Sequence, residues 1–164
     1  MPFTFYHLGP ASGLGLIFFK IFDFPVLIIS TIILDFEPLY VIIFNLHYPY
    51  HRFFHTLFGG SIVAIILALI LYFLKDEIQK IMNFFKLNQE SSFKKILWTS
   101  FFGIYSHIFL DSLIHKDVKP FYPFLKTNPF LNLISNEQLY IFCISLFFIG
   151  VLAYFFRLKK TKIK

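Results

Sequence analysis

The sequence predicts an all-α polytopic membrane protein with about four membrane-crossing elements. The chain has 164 residues, of which 57% are hydrophobic and 22% aromatic. A soluble domain of this size cannot bury that much apolar surface. Two runs, 56–74 and 139–156, contain no charged residue, and both approach the ~20 residues that a membrane-spanning helix needs. We therefore expect a single membrane-embedded helical domain over residues 1–164.

The first apolar stretch, residues 11–34, is interrupted by Lys20, Asp23 and Pro25. Proline ends or kinks a helix, and charged residues are costly inside a long apolar one. Two short helices joined near residues 22–24 are therefore favoured over one straight membrane helix. Such a hairpin brings the segments before and after it to the same side.

The segments flanking this hairpin carry His7 on one side and Asp35 and Glu37 on the other. His7 is either a metal ligand or a surface imidazole next to a Gly-Pro turn. Pro38 is expected to stop regular helix, which leaves both carboxylates at the end of an apolar run. Negative charge is unfavourable at a helix C-terminus, so metal ligation and a solvated helix end both stay open.

A third group of polar residues, HYPYHRFFHTL, precedes the 56–74 run. His51 and His55 stand four residues apart, a spacing that places two imidazoles on one face of a helix, where they can share a metal ion. Interfacial packing is the alternative. Arg52 between them could bind a phosphate through its planar guanidinium, or pair with one of the two carboxylates just described.

The run 96–114 is apolar except at its end, where His107, Asp111 and His115 follow at i, i+4 and i+8. On a helix these side chains share one stripe, drifting only ~40° per step. A carboxylate inside a bilayer costs about 2.5 to 3.5 kcal/mol unless it is paired. The stripe therefore predicts a metal site, with an interhelical hydrogen-bond cluster as the alternative.

Positive charge defines the expected orientation. The formal charge of +6 comes from lysine-rich segments and not from a basic face interleaved with aromatics, which argues against nucleic-acid binding. Basic loops remain on the inner side of membranes. Residues 75–95 are therefore expected to form a partly amphipathic cytoplasmic connection, 115–136 an outer interfacial loop rich in proline and aromatics, and 157–164 a cytoplasmic basic tail, as in a prokaryotic-type inner or cell membrane protein.

This topology places the candidate ligands on one side of the membrane. They are His7, Asp35, His51, His55, His107, Asp111 and His115. Imidazole and carboxylate donors suit zinc or another first-row divalent ion, and the lone Cys143 excludes a closed thiolate site. Seven candidates exceed one tetrahedral ion. We therefore predict more than one divalent metal, the usual equipment for phosphoester hydrolysis.

Four short motifs occur in order, PFTFYHLGP, DFEP, HRFFHTL and SHIFLDS. Through them nearly the whole chain resembles the YdjM-like (YbcI-like) membrane-bound metal-dependent hydrolases, which are grouped with the zinc-dependent phospholipase C and P1 nuclease superfamily. The resemblance implies a phospholipase C-like helical core and hydrolase activity. It also implies that His7, Asp35 and one or both of His51 and His55 bind metal, and that His107 and Asp111 match the HxxxD helix.

The predicted function is hydrolysis of a phosphoester at the outer membrane–water interface. Asp35 or Asp111 would orient the attacking water, and Arg52 with Lys116 or Lys119 would hold the substrate phosphate. A phospholipid or polyprenyl phosphate is favoured because the site opens at the level of the lipid head groups. The alternative is a non-catalytic membrane protein whose His/Asp cluster is structural or binds metal without turnover.

Overall fold

Apolar helices make up most of the computed structural model, which describes residues 6–162, without the side chains of the last three. The helices are α1 (Leu8–Ile17), α2 (Phe24–Ser30), α3 (Phe36–Ile43), α4 (Leu57–Phe73), α5 (Lys75–Phe84), α6 (Phe93–Ser112) and α7 (Asn136–Lys162), with 3-10 turns at Ile33–Asp35 and Phe53–His55. No strand occurs within residues 6–162. The all-α prediction is confirmed. Most of the PFTFY stretch and the last two residues of the basic tail lie outside the described residues.

Two segments are long and apolar enough to cross a membrane. Phe24–Ile43, which joins α2 to α3, has 20 residues, and Asn136–Lys159 in α7 has 24. Helices α4 and α5 would form a third crossing together, although they are bent by 73° where they meet. Helix α1 is only about 15 Å long, half the hydrocarbon thickness of a bilayer. The chain is thus a membrane protein with two or three candidate crossings within residues 6–162, and the number four stays a prediction.

The hairpin of α1 and α2 forms where the sequence predicts it. The Asp23 carboxylate accepts the backbone N–H of Val26 at 3.4 Å, and Pro25 lies in the first turn of α2. Asp23 also connects the hairpin to α6 and the segment before it. Its backbone N–H donates to the Thr99 hydroxyl at 3.1 Å, and its carboxylate accepts from the Ser91 hydroxyl. The Asp23 charge that interrupts the apolar run is therefore buried and hydrogen-bonded.

Close helix packing forms the core. Ala64 and Ala68 of α4 and Ile104 and Ile108 of α6 have no exposed surface. A Cβ atom at Gly103 would lie 1.8 Å from the Ser30 hydroxyl oxygen, so only glycine allows α2 to lie this close to α6. Outside this core the helices expose large apolar side chains such as Phe73 and Phe148, which fits contact with lipid.

Pro38 does not end a helix, contrary to the sequence prediction. Asp35 is the N-cap of α3 and Pro38 stands in its first turn, where the missing N–H costs no hydrogen bond. Asp35 and Glu37 therefore lie at a helix N-terminus, where negative charge is favourable.

His51 and His55 do not share a helical face either. Thr56 is extended, with φ −108° and ψ 156°, and its side chain accepts the N–H of Gly59 as the N-cap of α4. Because this cap starts α4 at Leu57, His55 ends a separate 3-10 turn and His51 precedes that turn. The predicted helical stripe at this position is wrong.

Candidate metal centre

All seven predicted ligands lie in one cluster, joined by Asp117. Three overlapping groups have donor atoms within 4.8 Å of one another: His7, Asp35, His107 and Asp111; His51, His55 and Asp111; and His51, His115 and Asp117. Residues before α1, between α2 and α3, before α4, in the last two turns of α6 and just after α6 meet here. The chain therefore concentrates buried histidine and carboxylate donors that could hold a metal ion.

Asp111 is the centre of the cluster and is 1% exposed. One of its oxygens, Oδ1, lies 3.1 Å from His7 Nε2. The other, Oδ2, lies 3.2 Å from His107 Nε2, 3.7 Å from His51 Nε2 and 3.8 Å from His55 Nε2. Despite these short distances neither oxygen accepts a hydrogen bond of acceptable geometry. The imidazoles surround the carboxylate without aiming an N–H at it.

The ring of His107 is oriented by a hydrogen bond from Nδ1, the nitrogen that does not face Asp111. Its Nδ1 lies 2.7 Å from the backbone carbonyl of Thr31. A carbonyl can only accept, so Nδ1 carries the hydrogen and donates it. In the neutral ring Nε2 then presents a lone pair towards Asp111, which is the tautomer that metal-binding histidines adopt.

His55 and His51 are held in the same way by carboxylates. His55 Nδ1 donates to Glu37 Oε2 at 2.7 Å, and His51 Nδ1 donates to Asp117 at 3.0 Å. The backbone N–H of Arg52 also donates to Glu37, at 3.1 Å. In both rings Nε2 again faces the cluster, so three histidines share one arrangement of outer acceptor and inward lone pair.

Two of these lone pairs face each other, since His55 Nε2 and His107 Nε2 are 3.3 Å apart. Two facing lone pairs repel each other unless a proton on one ring or a metal ion bound to each ring compensates them. One proton leaves too many atoms unsatisfied, because the buried atoms without a hydrogen bond include His7 Nδ1 and Nε2, Asp35 Oδ2, both Asp111 oxygens and His115 Nε2. Metal–ligand bonds near 2.0 Å give tetrahedral ligand–ligand distances of about 3.3 Å, close to those measured here. The donor set fits a metal.

The protonation states outside the membrane-spanning segments also suit metal binding. Burial lowers the pKa of His55, and the hydrogen bond to Glu37 offsets this only in part. Burial also lowers the pKa of His115. For Asp117 burial raises the pKa, but the hydrogen bonds from His51 outweigh it and hold the pKa well below its usual range. The imidazoles of His55 and His115 are thus neutral, and Asp117 is ionised, near neutral pH.

His115 lies beyond the helix that was expected to carry it. Helix α6 ends at Ser112, so His115 is not on the stripe of His107 and Asp111, and that part of the prediction is wrong. Its ring lies instead 4.5 Å from the ring of His51, and the Asn128 side chain donates to its carbonyl at 3.0 Å. The 113–135 loop therefore places His115 at the edge of the cluster.

A groove of about 620 Å³ lies beside the cluster, and we call it the polar groove. It is lined by His51, Arg52, Lys119 and Tyr122 together with Glu37 and Asp117, among others. The Arg52 guanidinium lies over the Tyr48 ring at 4.7 Å, while its backbone N–H contacts Glu37. Two of the three predicted phosphate-binding cations therefore share this groove, whereas Lys116 is exposed and does not line it.

Sequence reasoning missed the outer acceptors Thr31, Glu37 and Asp117 in the role that the structure assigns them. Glu37 and Asp117 stand out as carboxylates close to predicted ligands, and this was the available signal. Thr31 acts through its backbone carbonyl, which no side-chain pattern reveals.

Glu37→Gln should weaken metal binding about 10- to 100-fold, the usual effect of losing an outer partner of a metal-bound histidine. The amide keeps the shape of Glu37 but removes the charge that fixes the His55 tautomer. Titration of chelator-stripped protein with Zn²⁺ measures the change. Glu77→Gln, an exposed change on α5, is the matched control, and equal affinities of the two variants would contradict the assignment.

The fold and the cluster define a class, the helical membrane proteins with a buried His/Asp group that could hold divalent metal. The family model described as YdjM inner membrane protein matches residues 10–163. This chain belongs to the YdjM inner membrane protein family. No curated protein and no solved structure matches it.

Proposed function

We propose that this protein is a membrane-bound metal-dependent hydrolase that acts on a phosphoester of a lipid-like substrate at the outer membrane–water interface. The observation that carries the proposal is the pair of facing Nε2 atoms, His55 and His107 at 3.3 Å, beside a buried Asp111 without hydrogen bonds. This arrangement needs cations, and paired divalent cations are typical of phosphoester hydrolysis.

Two metal positions follow from the overlapping groups. His7, Asp35, His107 and Asp111 would hold one ion, and His51, His55 and Asp111, with His115 at the edge, would hold the other. Asp111 is common to both groups and would contribute a ligand to each site. Nitrogen and oxygen donors of this kind favour zinc or a similar first-row ion. Bound divalent ions supply a water of lowered pKa and positive charge towards a phosphoryl oxygen.

The protein's own residues would complete the site. Asp35 Oδ2 is buried and has no hydrogen-bond partner, so it can accept a proton from a water molecule or orient it. Arg52 and Lys119 line the polar groove and would bind the anionic phosphoester. Burial of the cluster excludes bulk water, which strengthens each of these electrostatic interactions.

We further propose that α6 is a fourth membrane-crossing element of a phospholipase C-like core, with α5 and the C-terminus in the cytoplasm. The lysines near α5 and in the tail support this orientation. A membrane-impermeant thiol reagent tests it in intact cells that carry Cys143→Ser. A cysteine replacing Phe124, which is 92% exposed in the 113–135 loop, should react, and one replacing Lys86 should not. The reverse pattern would place the site in the cytoplasm.

Turnover by metal-loaded protein tests the function itself. The purified chain in nanodiscs should hydrolyse at least one member of a panel of phospholipids, polyprenyl phosphates and soluble phosphodiesters. A chelator should abolish the activity and Zn²⁺ or another first-row ion should restore it. Absence of turnover across the panel by metal-loaded protein would favour the alternative, a cluster that binds metal without catalysis.

A further inference from the structure

We propose that the substrate carries a hydrocarbon chain that lies in an apolar groove between α3 and α4, with its anionic head group in the polar groove beside the cluster. The assignment rests on the proposed function, which it extends by naming how the protein recognises an amphiphile. The occupant is one hydrocarbon chain that ends in a phosphate ester head group.

The apolar groove has a volume of about 470 Å³. Its walls are mainly apolar side chains of the 3-10 turn Ile33–Asp35 and of α3, such as Phe36 and Tyr40, and α4 contributes Val63. Three residues, Glu37, Arg52 and Phe54, line both this groove and the polar groove. The two grooves therefore adjoin at these residues, an apolar groove beside a polar one.

The polar groove offers two cations to an anionic head group. The two carboxylates on its wall are already engaged, since Glu37 accepts from His55, Arg52 and Phe54 and Asp117 accepts from the side chain and backbone of His51. The remaining charged groups on the wall are the cations of Arg52 and Lys119. A phosphate head group complements them.

The size and position of the apolar groove fit one chain. At about 30 Å³ for each water-sized group, 470 Å³ holds roughly 15 such groups, which is enough for one acyl or isoprenoid chain. Helix α3 belongs to Phe24–Ile43, one of the candidate membrane segments. A chain could therefore enter from the bilayer while its head group stays at the surface.

Photolabelling with a non-hydrolysable probe tests the assignment. The probe is hexadecylphosphonate with a diazirine in the middle of its chain, added to the full-length protein in phosphatidylcholine nanodiscs. Peptides from α3 and from 54–63 should be labelled saturably. Unlabelled hexadecylphosphonate should compete, and hexadecanol, which has the chain but no charge, should not.

Val63→Phe fills the groove and should reduce the saturable labelling at least tenfold. Val151→Phe makes the same change on α7, at a position that is 36% exposed and lines neither groove, and should leave it unchanged. Val63→Ala removes bulk without blocking the groove and should retain labelling, which separates blocking from misfolding.

Two outcomes would contradict the assignment of the apolar groove as the binding site of the hydrocarbon chain. One is equal saturable labelling of wild type and Val63→Phe, and the other is labelling spread over α7 that hexadecylphosphonate does not displace. Because the probe has a C–P bond, its binding is independent of turnover. Saturable labelling that Val63→Phe abolishes supports the groove even where no phosphoester is hydrolysed, an outcome that contradicts the proposed function alone.

Discussion

Asp111→Asn should remove most of the divalent metal from the purified protein, with affinity falling by about 100-fold or more. Loss of an outer partner already costs 10- to 100-fold, and Asp111 is the carboxylate common to two groups of donors. The amide keeps the size of the side chain but replaces one anionic oxygen with an N–H group. That group would face imidazole nitrogens at 3.1 to 3.8 Å. Plasma mass spectrometry of the protein measures the metal.

Asp76→Asn is the matched control for this change. Asp76 lies exposed in the first turn of α5, remote in sequence from every member of the cluster, and its substitution should leave the metal content unchanged. Circular dichroism establishes that both variants keep their helices. If Asp111→Asn retained the wild-type metal content while folded, Asp111 would not be a ligand.

Asp35→Asn should lower kcat about 10²- to 10⁴-fold while lowering metal content much less. A group that orients or deprotonates the attacking water contributes an effect of that size. Asp35 lies at the periphery of the cluster, because its Oδ1 is 3.9 Å from His107 Nε2 and the residue is partly exposed. Initial rates at saturating substrate, divided by the metal content of the same sample, measure the effect.

Two comparisons decide the role of Asp35. Asp76→Asn should keep the wild-type kcat per metal ion. If Asp35→Asn loses activity only in proportion to the metal that it loses, Asp35 acts as a metal ligand alone and has no role in positioning water.

Two of the apolar helices could be predicted from the sequence because their signal is local. Uncharged runs correspond to α4 and most of α7, and Lys20, Asp23 and Pro25 mark the break between α1 and α2. The candidate ligands could be named for a related reason, since a histidine or carboxylate at the end of an apolar run is costly without a partner. These inferences needed residue type and spacing only.

The local geometry of the site could not be predicted, because it depends on caps and on contacts between distant segments. The spacing of His51 and His55 suggests a helix, but the Thr56 cap starts α4 only after them. Pro38 suggests a helix end, yet it stands in the first turn of α3. Tertiary packing brings His55 to Glu37 and His51 to Asp117, and packing of this kind leaves no periodic trace in the sequence.

The most direct measurement of the central claim is anomalous X-ray diffraction from crystals of the metal-loaded protein, collected at the absorption edge of the ion found by elemental analysis. The account predicts anomalous peaks about 2.0 to 2.3 Å from the Asp111 carboxylate and from the Nε2 atoms of His55 and His107. The absence of an anomalous peak in the cluster of metal-loaded crystals would contradict it. In that case the histidine ring nitrogens would hydrogen-bond to water or to one another instead.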